Sequence, residues 1–289
     1  MMSPKKVFTF LLGLMIFSQV HAQEQSTTDL STVVREVAGE SSSTFEKTRR
    51  LATWINTTFK WSYTDYQKRT VAEIVARRAG NCAELANVLE ALLNAAQIRS
   101  RWIAEINLHP HTPARQKTAE EKVAQWGKRA SVFGLRHNDH RWLEVFDERT
   151  QTWFPADPAV GVVGTQEWVA ARLGFANRPA SPVPEIAAIA QDMIVPFVVV
   201  ALDSRGGKVV ENRSQHYLIE EFNLFYNKKA ATLKSWPQWE KLIGQLSVLG
   251  ASTFAGEVNL HEHGPLIEQL TQVYEKLKSE ALAEKLAAN

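Results

Sequence analysis

Arg78-Ala79-Gly80-Asn81-Cys82-Ala83-Glu84-Leu85-Ala86 is the stretch on which the reading of this chain turns. Asn81 and Glu84 have the spacing of a capping box, and Leu85, Val88, Leu89, Leu92, Leu93 and Ala96 then recur at helical intervals. The pattern predicts a helix of about four turns whose first turn holds Cys82. Unpaired N–H groups and the helix dipole favour thiolate over thiol at such a position, and the same N–H groups can donate to a developing oxyanion. Glu84 would oppose this if its charge lay close to the sulfur, so it is expected to cap the helix or to face away.

Cys82 is the only cysteine among 289 residues, so it has no intramolecular disulfide partner. A lone cysteine is most often a small buried hydrophobe; the competing reading is a nucleophile, which needs a base. His140-Arg141-Trp142-Leu143-Glu144-Val145 offers one on an alternating strand 58 residues downstream. Thr152 to Ala156 is a second extended run after the polar turn Asp147-Glu148-Arg149-Thr150, so the two read as a β-hairpin. Symmetric pairing about Glu148 and Arg149 sets His140 opposite Asp157, where a carboxylate would fix the imidazole tautomer. His109, His111, His137, His216, His261 and His263 compete with His140 as the base.

Upstream, Leu51, Trp54 and Ile55 mark a helix beginning near Phe45, and Phe59, Trp61 and Tyr63 alternate like a strand. Thr70 and Glu73 give a second capping signature, for a short helix from Val71 to Arg78 that ends at Gly80. Residues 23–43 read as a polar lead-in, a tether in which Leu30, Val33, Val34 and Val37 form one short helical face. Downstream, Arg99 to Leu108 reads as a strand, and Pro110 to Ala130 as either a surface loop or a helical insertion. The three prolines between Pro179 and Pro184 mark a boundary. Beyond it come the apolar strand Ile194 to Leu202, the turn Ser204-Arg205-Gly206-Gly207 and a closing helical stripe of Leu266, Leu270, Val273 and Leu277.

Three motifs, in order, resemble the transglutaminase-like superfamily of papain-like fold. Arg78 to Ala86, with Leu92 to Arg101 after it, is similar to the family's nucleophile helix and following strand. His140 to Val145 resembles its histidine strand, and Trp153-Phe154-Pro155-Ala156-Asp157-Pro158 its acid strand. The resemblance spans about residues 45 to 165. It implies an α+β fold in which a nucleophile helix packs on an antiparallel sheet; the residues after Pro184 lie outside these motifs and read from their own pattern as a mixed strand and helix region. It also implies thiol acyl transfer on a peptide or carboxamide, with Cys82 attacking, His140 moving the proton and Asp157 orienting His140. Calcium serves some members, but no acidic loop of calcium-binding spacing is present, so neither metal nor other cofactor is carried over. The stretch from Leu108 to Asn138 departs from the family pattern as a long insertion.

Lys5 and Lys6, the apolar run Val7 to Val20 and Val20-His21-Ala22 read as a signal peptide over residues 1–22, so the protein is expected to be exported, periplasmic or secreted. The mature chain would comprise the lead-in, a catalytic core over 44–178 and a C-terminal α/β region over 185–289. The formal charge of +2 equals the contribution of those two lysines, which leaves no basic excess for nucleic acid or an anionic membrane. No stretch reaches the roughly 20 apolar residues of a spanning helix. A peptide or protein substrate is expected, cell-wall peptide among the candidates. His137 with His140, or His261 with His263, offers weak metal-ligand spacing. The nine tryptophans read as core before sugar platform, and Trp61 or Tyr63 is a candidate oxyanion donor. The rival reading is a catalytically silent binding or assembly module on the same fold.

Overall fold

The computed structural model describes residues 29–41, 43–62, 67–108, 137–175, 195–258 and 260–286. Helix α1 (Leu30–Val33) runs on through a π-helical turn (Val34–Ala38) and is followed by α2 (Thr44–Thr58), β1 (Lys60–Trp61), α3 (Val71–Arg77), β2 (Ala79–Gly80) and α4 (Cys82–Ala95). Then come β3 (Ser100–Leu108), β4 (His137–Asp147), β5 (Thr152–Asp157), β6 (Val162–Val163) and α5 (Thr165–Leu173). β7 (Val195–Leu202), β8 (Val209–Asn212), a π-helical turn (His216–Glu221) leading into α6 (Phe222–Phe225), α7 (Trp236–Phe254) and α8 (Gly264–Ala283) follow. The expected α+β architecture is present. Among the described residues, no helix is long and apolar enough to cross a membrane.

Strands β3 to β8 form one antiparallel sheet in the order β6-β5-β4-β3-β7-β8, so β7, from beyond the three prolines, lies directly against β3. The prolines themselves, the stretch from Pro110 to Ala130 and the signal-like N-terminus fall outside the described residues. α4 packs on this sheet through Leu85, Val88, Leu89, Leu92 and Leu93, all buried, and Trp102 on β3 donates its indole N–H to Glu90 at 2.7 Å. Trp102, Trp142, Trp168 and Trp239 are core residues, in keeping with the expectation for the tryptophans. On α7 a Cβ at Gly250 would stand 2.2 Å from Val198 Cγ2, so only glycine admits that approach of helix to β7.

Two expectations need correction. The lead-in is not a tether throughout: the stripe of Leu30, Val33, Val34 and Val37 packs on the core, burying Val33 and Ala38, and Arg50 Nη1 donates to the Ala38 carbonyl at 3.0 Å. The register of the β4–β5 hairpin is also displaced. Leu143 pairs with Ala156 and Asp147 with Thr152, so the loop holds the four residues 148–151 and is centred one residue later than expected. Gln151, at φ 56°, provides the left-handed step that closes this turn, and its side chain donates to the Glu148 carbonyl at 2.7 Å. The displacement is two positions, an even number, so every side chain keeps its face of the sheet.

Candidate active site

Asn81 caps α4 as its sequence predicts. Its side chain accepts from Glu84 N–H at 3.0 Å, and Glu84 Oε2 accepts from Asn81 N–H at 3.0 Å, which leaves Cys82 as the first helical residue, partly exposed and free of a disulfide. Glu84 therefore caps, as one of the two expectations held. Its other oxygen meets Arg69 Nη1 at 2.9 Å, so the carboxylate two residues from the sulfur is balanced by a guanidinium. Gly80 does not stop α3, which ends two residues earlier, at Arg78 in the left-handed conformation. Gly80 instead lets the chain pass beneath α4, since a Cβ there would lie 2.9 Å from Glu84 Cβ. β1 and β2 run parallel in this approach, pairing Trp61 with Gly80, next to Asn81 and Cys82. Tyr63 lies outside the described residues.

His140 and Asp157 meet, though diagonally rather than directly across the ladder. His140 Nε2 stands 2.6 Å from Asp157 Oδ2, and the Cys82 sulfur is near enough for its charge to act on the imidazole. With Nε2 on the carboxylate, the tautomer assigned from the hydrogen bonds leaves Nδ1 for the sulfur. Burial pushes the His140 pKa down, but the Asp157 charge and then the Cys82 charge outweigh it, and the net shift is well above the ordinary imidazole value. Burial likewise raises the Asp157 pKa, while His140 and Arg172 lower it further, so the carboxylate stays below its ordinary value. The structure thus brings His140 and Asp157 into contact, with Cys82 near enough for its charge to act on the imidazole. Of the competing histidines, His216 faces Glu220 and Glu221 at 3.5 and 3.9 Å, and His109 and His111 lie outside the described residues. Among the described residues, no three His, Cys, Asp or Glu side chains cluster as metal ligands.

Sequence reasoning missed the rest of this cluster. Arg172 on α5 is 3% exposed and donates from Nη2 to Asp157 Oδ2 at 2.8 Å and from Nε to Glu105 Oε1 at 3.1 Å. Glu105, on β3 and fully buried, also accepts from Trp142 Nε1 at 2.9 Å and Asn107 Nδ2 at 3.2 Å. Asp157 Oδ1 accepts from Ala159 N–H at 3.1 Å. Burial pushes the Arg172 pKa down, but the two carboxylates hold it above its ordinary value, so the guanidinium stays charged. The signal was there: Arg172 interrupts the buried stripe of Trp168, Val169 and Leu173, and Glu105 stands alone among Trp102, Ile103, Ala104 and Ile106.

A second buried carboxylate serves another purpose. Glu144 accepts from Arg101 Nε at 2.6 Å, Arg213 Nε at 3.1 Å and the Tyr217 hydroxyl at 2.5 Å. Burial and the neighbouring Glu144 push the Tyr217 pKa well above its ordinary value, so it remains a phenol that donates. This cluster ties β3 and β4 to the segment after β8.

Residues 31–158 match the family model described as the transglutaminase-like superfamily. Among solved structures, a "putative cysteine protease" from Cytophaga hutchinsonii is 16% identical, with a TM-score of 0.34 over 47% of this chain and 39% of that one. A "putative protease" from Parabacteroides distasonis is 14% identical, with a TM-score of 0.35 over 66% and 28%. Rad4–Rad23 bound to a 6-4 photoproduct UV lesion is 11% identical, with a TM-score of 0.37 over 86% and 52%. The chain thus spans between 28% and 52% of the length of these structures' chains. No curated protein matches the chain significantly.

Proposed function

We propose that this chain, with its transglutaminase-like core, is an exported cysteine-dependent acyl-transfer enzyme that acts on peptide or carboxamide bonds and favours hydrolysis over transamidation. The observation that carries the reading is the 2.6 Å contact of His140 Nε2 with Asp157, made while the same imidazole interacts with Cys82. With the thiol proton already held at His140 Nδ1 in an imidazolium that Asp157 stabilises, Cys82 Sγ attacks the carbonyl carbon as the thiolate. The N–H groups of Cys82 and Ala83, in the first turn of α4, have no intrahelical acceptor and are suited to the oxyanion. Collapse of the tetrahedral intermediate transfers the proton from imidazolium to the leaving amine and gives a thioester. Water then loses a proton to His140, its oxygen adds to the thioester carbon, and the carboxylic acid leaves as the thiol is restored. Water is favoured over an amine by its far higher concentration. The pattern of residues 5–22 supports export, and cell-wall peptides are among the substrates to be tried.

The test incubates wild-type protein and Cys82→Ala with a peptide panel and a labelled primary amine. Peptide cleavage or deamidation without amine incorporation, abolished in Cys82→Ala, is the expected result. Amine incorporation without hydrolysis reverses the preference between acceptors. Neither activity across the panel moves the chain to the silent binding module. N-terminal sequencing of mature protein checks cleavage before Gln23.

A further inference from the structure

We propose that Arg172, braced by Glu105, is a positioning residue that assigns Asp157 rather than Glu105 to the imidazole of His140; this rests on reading the site as a cysteine acyl-transfer centre. Two buried carboxylates flank His140. Glu105 stands directly opposite it across the β3–β4 ladder, whereas Asp157 reaches it diagonally from β5. By backbone position Glu105 is at least as well placed to take the imidazole N–H. Its oxygens are engaged elsewhere: Oε1 accepts from Arg172 Nε and Asn107 Nδ2, and Oε2 accepts from Trp142 Nε1. Asp157 Oδ2 is left to face Nε2.

The guanidinium is suited to this division because its donors are fixed in one plane. Nε holds Glu105 at 3.1 Å and Nη2 holds Asp157 at 2.8 Å, so the spacing of the two carboxylates is set by a rigid group. Charge balance points the same way. Glu105, Asp157 and Arg172 together carry one net negative charge, which the imidazolium formed during thiol deprotonation cancels. Without Arg172, two buried carboxylates would share the pocket with one imidazole, and one of them would take up a proton or capture the ring in a second orientation. A buried guanidinium between two carboxylates would be a costly way merely to fill space, since apolar groups of like volume often serve stability as well.

The experiment compares wild type, Arg172→Met and Arg172→Met/Glu105→Gln in the full chain. The readouts are iodoacetamide alkylation of Cys82 against pH, the His140 ring tautomer by 15N NMR, and thermal melting. Arg172→Met is expected to slow alkylation at neutral pH about tenfold, the middle of the range for coupled groups in one hydrogen-bond network, and to mix the tautomers. The double variant is expected to recover most of the rate and a single tautomer, because the competing carboxylate is gone; a merely structural arginine predicts no such rescue. A folded Arg172→Met with a wild-type profile and tautomer overturns the proposal, as does a folded double variant no better than the single. If Arg172→Met does not fold, the double variant carries the test: it must keep alkylation within about tenfold of wild type, and a folded but unreactive double variant overturns the proposal. Wild-type Cys82 that reacts no faster than in the urea-unfolded chain sinks the acyl-transfer reading and this proposal together, whereas a reactive wild type matched by Arg172→Met sinks this proposal alone.

Discussion

Asp157→Asn separates orientation from charge in a way the hydrogen bonds make explicit. His140 Nε2 and Arg172 Nη2 both converge on Oδ2, at 2.6 and 2.8 Å, while Oδ1 accepts from Ala159 N–H at 3.1 Å. An asparagine amide has one oxygen for these two places. With the oxygen toward His140 and Arg172, its NH2 opposes the Ala159 N–H, and one buried donor is left without an acceptor, at about 1–3 kcal/mol. The reverse flip sets NH2 against the guanidinium and makes Nε2 an acceptor, which moves the ring proton to Nδ1, the nitrogen needed for the thiol. The first orientation is the less costly. The fold should therefore survive with a melting temperature lower by about 2–10 °C. Catalysis should suffer far more, because the charge that raises the His140 pKa is lost in either flip: about 10⁴-fold in turnover, the scale for the same replacement in an acid–histidine–nucleophile triad. Melting curves, turnover on whichever amide the wild type accepts and alkylation of Cys82 against pH measure these effects. Turnover within a factor of about ten of wild type would remove Asp157 from the mechanism, and an unfolded variant would make it a structural residue.

Two further predictions concern stability. The raised pKa of His140 means that the folded state holds a proton the unfolded chain releases, so this stabilisation is complete below about pH 6.5 and is lost as pH rises through the folded value. The lowered pKa of Asp157 acts oppositely, stabilising above about pH 3.9 and failing as pH falls through its folded value. Melting temperature against pH should decline on both sides; His140→Gln should abolish the alkaline contribution, and an unchanged alkaline slope in that variant would contradict the assignment. Glu144→Gln should destabilise the chain by about 3–5 kcal/mol, because Arg101, Arg213 and Tyr217 lose a buried anion. Denaturant titration reads that loss, and the alkylation profile of folded Cys82 should stay within about twofold; a large change in reactivity would show the two buried clusters to be coupled.

What the sequence disclosed follows the range of the interactions. The α4 cap is written in two residues three apart, Asn81 and Glu84, and the structure contains both of its hydrogen bonds. The hairpin was legible as a hairpin, but its register depends on a turn closed by Gln151 in a left-handed conformation, which a non-glycine residue does not advertise. His140 and Asp157 were reached because the error was an even number of residues and left their common face unchanged. Arg172 and Glu105 each interrupt an apolar run, a signal passed over because their partner, the carboxylate of Asp157, lies on a separate strand. The pairing of β7 with β3 had no local signature, so a run of prolines read as a boundary while the sheet continues beyond it.

The place of β3 in that sheet bears on the order in which the molecule assembles. One edge of β3 pairs with β4, which continues into the tight β4–β5 hairpin, while its other edge waits for β7, with Leu108 meeting Val195 and Trp102 meeting Leu202. A chain emerging from the ribosome can thus bring the His140 and Asp157 strands together while the strand carrying Glu105 still has a bare flank. That flank belongs to an apolar run, Trp102-Ile103-Ala104-Glu105-Ile106, of the kind that recruits foreign strands when left uncovered. Closing a pairing between strands so far apart in the sequence is expected to be slower than closing the β4–β5 hairpin. A chain stopped short of Val195 would therefore be drawn toward aggregation before it could be judged as an enzyme.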